Sequence, residues 1–132
     1  MQKDAKTVLI VDDEQSIVKA LTFKLRYEGL LVLEAKDGIE GLEMALKYRP
    51  QLILLDILMP RMDGETMLKK LRQDPVGKTI PVILLTNLGE PEGITEALKL
   101  MASDYLIKSD WNLDDVVKRI NEELAVKNLT PN

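Results

Sequence analysis

Three aspartates, a threonine and a lysine stand where apolar runs of this chain stop. Val8-Leu9-Ile10-Val11 ends at Asp12-Asp13, and Leu52-Ile53-Leu54-Leu55 ends at Asp56. Val82-Ile83-Leu84-Leu85 ends at Thr86, and Tyr105-Leu106-Ile107 at Lys108. Carboxylates, a hydroxyl and an amine gathered in one place would suit a divalent cation and a phosphoryl group. Two carboxylates about 4 Å apart repel by about 4 kcal/mol at the effective dielectric of a protein rim. Such a group calls for a hard counter-ion, and Mg²⁺ takes carboxylates, carbonyls, waters and phosphate oxygens. An aspartate can itself attack phosphorus and form an acyl phosphate. Asp56, single and central, suits the nucleophile, and the pair Asp12-Asp13 suits the metal cradle. Lys108 offers a point charge to a phosphate oxygen, and Thr86 a hydroxyl donor.

What gathers these residues is the pattern around them. Short continuous apolar runs bounded by polar residues describe strands buried on both faces, as in a parallel sheet. Helical spacing separates them. Ile17, Ala20, Leu21 and Leu25 mark a first helix stopped at Gly29, before a second strand from Leu30 to Ala35. Ile39, Leu42, Ala45 and Leu46 mark a second helix, closed by Pro50. After a loop bracketed by Pro60 and Gly64, Met67, Leu68 and Leu71 carry a third helix to Pro75, and Pro81 opens the fourth strand. Ile94, Ala97, Leu98 and Met101 mark a shorter fourth helix. Leu113, Val116, Val117, Ile120 and Leu124 mark a fifth, capped by Asn112 or Asp110.

Right-handed crossovers reduce this alternation to a doubly wound, flavodoxin-like α/β sandwich of five parallel strands and five helices. Strand order 2-1-3-4-5 sets the first and third strands side by side, with the ligand crevice outside the carboxyl ends. Asp12, Asp13 and Asp56 then lie within reach of one another. One domain over residues 1–132 is expected, with a core of about 7–126 and a frayed tail at 128–132.

Composition narrows the chemistry. The 132 residues are 45% hydrophobic and 30% charged, an ordinary globular balance. No run approaches the roughly 20 apolar residues that span a bilayer. The start lacks the apolar stretch of a secretory signal. With no cysteine, a disulfide framework and thiolate metal sites are excluded, and a cytoplasmic location is expected. A net charge of -4 with no basic stripe argues against direct nucleic-acid binding. No histidine is present, so any phosphohistidine must come from another protein.

Together these residues resemble the receiver domains of bacterial two-component response regulators, from about Thr7 to Leu124. The marks are Val11-Asp12-Asp13-Glu14, Asp56, Met59-Pro60, Asp63-Gly64, Thr86, and Ala102-Ser103-Asp104-Tyr105 leading to Lys108. The resemblance implies that Asp56 accepts a phosphoryl group from a histidine kinase, a phosphotransfer protein or a small phosphodonor. It implies Mg²⁺ on Asp13, Asp56 and the Leu58 carbonyl, with Asp12 acting through water. Lys108 would pair with the phosphoryl group, Thr86 would move to bond it, and the Tyr105 ring would follow inward. That motion would remodel the face of the fourth helix, fifth strand and fifth helix for a downstream protein, or drive a phosphorylation-dependent homodimer. Such a domain is no turnover enzyme; it catalyses its own phosphorylation and slow dephosphorylation.

Four features depart from that family's pattern. Ser109 follows Lys108 where a proline is usual, Asn87 follows Thr86 where a small residue is usual, and Met101 replaces a glycine. Leu58 and Leu88 occupy rim positions that often carry polar residues, which predicts poor water access and a long-lived acyl phosphate. These departures keep an alternative open, a receiver-like module that works by interaction without phosphorylation. An aspartate-nucleophile phosphatase would need a second acid just after Asp56, and Ile57-Leu58-Met59 offers none. A nucleotide or flavin module would need a glycine- or serine-rich cradle after the first strand, and none follows. The run Lys69-Lys70-Leu71-Arg72 is expected to be a solvated helix face, and Trp111 a packing residue.

Overall fold

The computed structural model describes residues 5–57, 59, 61–86, 102, 104–107 and 112–129, with backbone alone at 86, 104, 105, 107 and 126–129. Five strands form one parallel sheet: β1 (Thr7–Val11), β2 (Leu31–Ala35), β3 (Leu52–Asp56), β4 (Val82–Thr86) and β5 (Asp104–Ile107). Their order is β2-β1-β3-β4-β5, as the sequence predicts. Described helices are α1 (Gln15–Tyr27), α2 (Gly38–Tyr48), α3 (Gly64–Arg72) and the last helix, α4 (Leu113–Leu129). The fourth helix expected around Ile94–Met101 lies outside the described residues, as do Trp111 and Pro60.

Alternation along each strand builds two cores. Val8, Ile10, Leu52 and Leu54 face α1 and α4, where Val18, Leu21, Leu25 and Ile120 meet them. Leu9, Val11, Ile53 and Leu55 face the other way, onto Ala45 of α2 and Met67, Leu68 and Leu71 of α3. All eight strand residues are 0% exposed. This double burial is why the strands are apolar throughout, and why the first polar residue marks the edge of the sheet.

Helix ends follow local chemistry. Gly29 has a φ of 91°, the left-handed residue that lets α1 stop and β2 begin. Asn112 Oδ1 accepts from Asp115 N at 2.9 Å, which selects Asn112 as the cap of α4; Asp110 lies outside the described residues. That helix runs to Leu129, two residues into the segment expected to fray. No glycine or proline stands within it to interrupt the helix.

The basic run of α3 needs correction. Lys69 and Lys70 are exposed, but Arg72 is half-buried. Its Nη1 donates to Gly77 O and to Ile80 O, both at 2.8 Å. Burial holds the guanidinium below its usual pKa, although it stays charged. The arginine thus ties a short 3₁₀ turn (Gly77–Thr79), absent from the sequence reading, to the helix before it and the strand after it. Arg72→Met keeps the stem but strands two carbonyls, and should lower stability by about 2–3 kcal/mol, checked by urea denaturation.

Candidate functional site

Strand register sets the site. Val11 pairs with Leu55, so the residues that follow, Asp12 and Asp56, leave adjacent strands at the same level. Asp12 N still bonds Ala35 O at 3.0 Å, which fixes its backbone in the ladder. Its Oδ1 accepts from Glu14 N at 2.9 Å, a short turn that leads into α1. Asp12 is 0% and Asp56 3% exposed, whereas Asp13 is exposed. One carboxylate oxygen from each of the three lies within 4.8 Å of the others.

This donor set fits a hard divalent cation, because it offers carboxylate oxygen and neither sulfur nor imidazole. Mg²⁺ bound at about 2.1 Å spans roughly 4 Å between opposite ligands. A cluster of the observed width is of the size that one such ion can bridge.

The other expected residues are located less fully. Asp56 pairs with Leu85, which puts Thr86 one residue further along the neighbouring strand, opposite Ile107. Backbone position thus sets Thr86 at the same sheet edge as the acids; its side chain lies outside the described residues. Tyr105 pairs with Leu84 inside β5, its ring likewise undescribed. Lys108 follows the last residue of β5 and lies outside the described residues, together with Leu58, Asn87, Leu88, Met101 and Ser109.

Two glycines seat the loop that follows Asp56. Gly64 N donates to Ile57 O at 2.8 Å, and a Cβ on Gly64 would overlap the Asp56 carbonyl oxygen. Gly38 N donates to Met62 O at 3.0 Å, and a Cβ there would overlap that same oxygen. Both contacts require a residue without a side chain.

Sequence reasoning missed Asp37 and Arg61. Asp37 is 2% exposed, caps α2 by accepting from Glu40 N at 2.9 Å, and its other oxygen meets Arg61 Nη1 at 3.2 Å. Arg61 holds a left-handed φ of 68° in the loop after Asp56. The Asp37-Gly38 step with Glu40 downstream was a legible cap signal. Nothing local announces its partner 24 residues on, because the ion pair exists only once α2 lies beside the loop.

Comparison with known proteins decides what family this edge belongs to. A model of the response regulator receiver domain matches residues 8–121. The chain belongs to that family. The receiver is 42% identical over 110 residues to the response regulator PleD of Caulobacter vibrioides, covering 83% of this chain and 24% of that one. It is 40% identical over 103 residues to the alkaline phosphatase synthesis transcriptional regulatory protein PhoP of Bacillus subtilis, covering 78% and 42%. The chain thus spans less than half the length of these curated relatives. Among solved structures, chemotaxis response regulator CheY4 of Vibrio cholerae superposes with a TM-score of 0.81 at 32% identity, covering 90% of this chain and 98% of that one. The receiver domain of a signal transduction histidine kinase from Syntrophus aciditrophicus gives 0.84 at 31%, covering 96% of each. Receivers of this family are signalling modules, and two-component signalling is the setting of this fold.

The Asp37–Arg61 pair yields a test of how firmly the loop is held. Asp37→Ala removes a cap and an ion pair and should cost about 2 kcal/mol. Arg61→Gly loses the pair but relaxes the left-handed backbone, so it should stay within about 1 kcal/mol of the parent. Thermal unfolding of the two variants side by side checks the ordering.

Proposed function

We propose that this receiver is a phosphorylation-dependent switch in which Asp56 is the phosphoacceptor. The clustering of Asp12, Asp13 and Asp56 at the carboxyl edge of the sheet is the observation that carries this reading. Asp13, Asp56 and the Leu58 carbonyl would hold Mg²⁺ directly, with Asp12 acting through water. When bound, the cation neutralises charge on the transferring phosphoryl oxygens.

A carboxylate oxygen of Asp56 attacks phosphorus of a phosphohistidine on a kinase or phosphotransfer protein, or of a small phosphodonor. The new O–P bond forms as the donor's N–P or O–P bond breaks, and the departing group leaves with the electron pair. Lys108 then faces the added charge and Thr86 donates its hydroxyl to a phosphoryl oxygen. Tyr105 follows inward and alters the face of β5 and α4 for a downstream protein. The phosphoryl group adds about -1.5 to -2 of charge. A nearly complete switch needs about 5.5 kcal/mol of preference, more than one neutral hydrogen bond supplies. The charge and the ring packing must therefore act together.

This function is self-modification: the domain helps its own phosphorylation and loses the group slowly. It suits a cytoplasmic setting, where such kinases present their phosphohistidine. No helix among the described residues is long and apolar enough to cross a membrane.

Incubation with Mg²⁺ and a small phosphodonor should add one phosphoryl group, seen by intact-mass spectrometry. Asp56→Asn should abolish that adduct, and a chelator should suppress it in the parent. An unmodified parent under these conditions refutes the switch and favours the interaction-only module. Leu58 and Leu88 at the rim, with Asn87 beside Thr86, should slow hydrolysis. A Leu58→Asn, Leu88→Glu variant should therefore lose its phosphoryl group faster than the parent; an equal or longer half-life contradicts this role.

A further inference from the structure

Five large apolar side chains stand exposed among the described residues: Phe23, Tyr27, Leu31, Leu46 and Tyr48. All belong to α1, β2 and α2. Strand β2 is an edge of the sheet, and α1 and α2 cover its two faces. Phe23 is 76% and Tyr27 81% exposed, far more than packing against their own domain would leave. Two shallow grooves meet on this edge. One is lined by Phe23, Tyr27, Arg26 and Glu34, the other by Arg26, Leu31, Leu33 and Tyr48.

The outer side of β2 pairs with no other strand of the sheet. Leu31 N donates to Lys6 O and Asp12 N to Ala35 O, so residues 31, 33 and 35 turn their polar groups toward β1. Val32 and Glu34 turn theirs outward. Edge strands are commonly protected by lysine, proline or a bulge, and Leu31-Val32-Leu33-Glu34-Ala35 has neither residue. Arg26 Nη2 reaches the Val32 carbonyl at 3.3 Å, and Glu40 Oε1 accepts from Lys36 N at 2.8 Å just past the strand.

We propose that β2 is the seam of a symmetric homodimer, in which it pairs antiparallel with β2 of a second copy about Leu33. In that register Val32 of one copy lies opposite Glu34 of the other, and the two exchange backbone hydrogen bonds, the Val32 carbonyl using its second lone pair while Arg26 holds the first. Arg26, already at the Val32 carbonyl, then meets the second copy's Glu34 carboxylate. Two-fold symmetry makes the pair twice. This self-complementarity favours a second copy over a foreign strand, which would have to supply both charges at the same spacing. Phe23 and Tyr27 close the seam on one face, and Leu31 and Tyr48 on the other. The opposite edge of the sheet, β5, stays free, so this dimer needs no phosphorylation and does not rest on the switch proposed above.

Sedimentation velocity across a concentration series, without Mg²⁺ or phosphodonor, tests the seam. The parent should pass from monomer to dimer as concentration rises. Arg26→Glu and Glu34→Arg each place two like-charged pairs across the axis and should weaken association by on the order of tenfold or more. Mixing the two variants should restore a heterodimer, because every facing pair is then of opposite sign. Circular dichroism melts and phosphodonor labelling report whether each variant is folded and has its other edge intact; should either fail to fold, Phe23→Ser with Tyr27→Ser replaces it and should likewise yield monomer. A parent that stays monomeric at every concentration overturns the proposal. So does a dimer that the single charge reversals leave unchanged, or one that mixing fails to restore.

Discussion

Like charges held close together must be supported from elsewhere, and here the support is a sheet buried on both faces. Asp12 and Asp56 cannot move apart without pulling β1 and β3 out of register, and those strands are fixed by side chains that are entirely shielded from water. Relaxation of such a core is costly, since interiors are packed to crystal-like density. The fold therefore holds three carboxylates at one rim, with strands of fully buried apolar residues beneath them. A cation there would meet carboxylates that the strands already hold together.

The same rigidity extends into the loop after Asp56. Gly64 and Gly38 let α3 and α2 bring their amino ends against the loop backbone at distances no side chain would tolerate. Asp63 and Asp37, the residues just before these glycines, cap both helices. Two helix starts therefore converge on the segment that leads away from the acidic cluster, with Arg61 bound to the buried carboxylate of Asp37. A shift at Asp56 would be felt through Ile57 and Gly64 by α3, and through Met62 and Gly38 by α2.

Legibility in the sequence followed the range of the interaction. Strands β1, β3 and β4 were plain because double burial leaves an uninterrupted apolar run with a polar stop, and the stops were Asp12, Asp56 and Thr86. Gly29 and Asn112 announced helix ends through local backbone chemistry. What could not be read depended on neighbours distant in sequence. Arg72 lies in a basic run that looks solvated, yet the turn at Gly77–Thr79 folds back beneath it, and Gly77 and Ile80 each supply a carbonyl. Asp37 was legible as a cap but not as the partner of Arg61. The last helix runs to Leu129, two residues into the polar tail, along a stretch with no glycine or proline to interrupt it.

The two edges of the sheet also differ in kind. At β5 the strand ends at Ile107, and Lys108 is the next residue of the sequence. At β2 no acid of the cluster is in the strand, and its exposed apolar residues lie on helix turns and strand positions away from the carboxyl edge. A protein that must change one surface and keep another constant is served by this separation. Central strands β1 and β3 hold the acids, and the two lateral edges, β2 and β5, carry none of them. Parallel order makes this possible, because it sends every strand's reactive end to one rim and leaves the lateral edges to independent use.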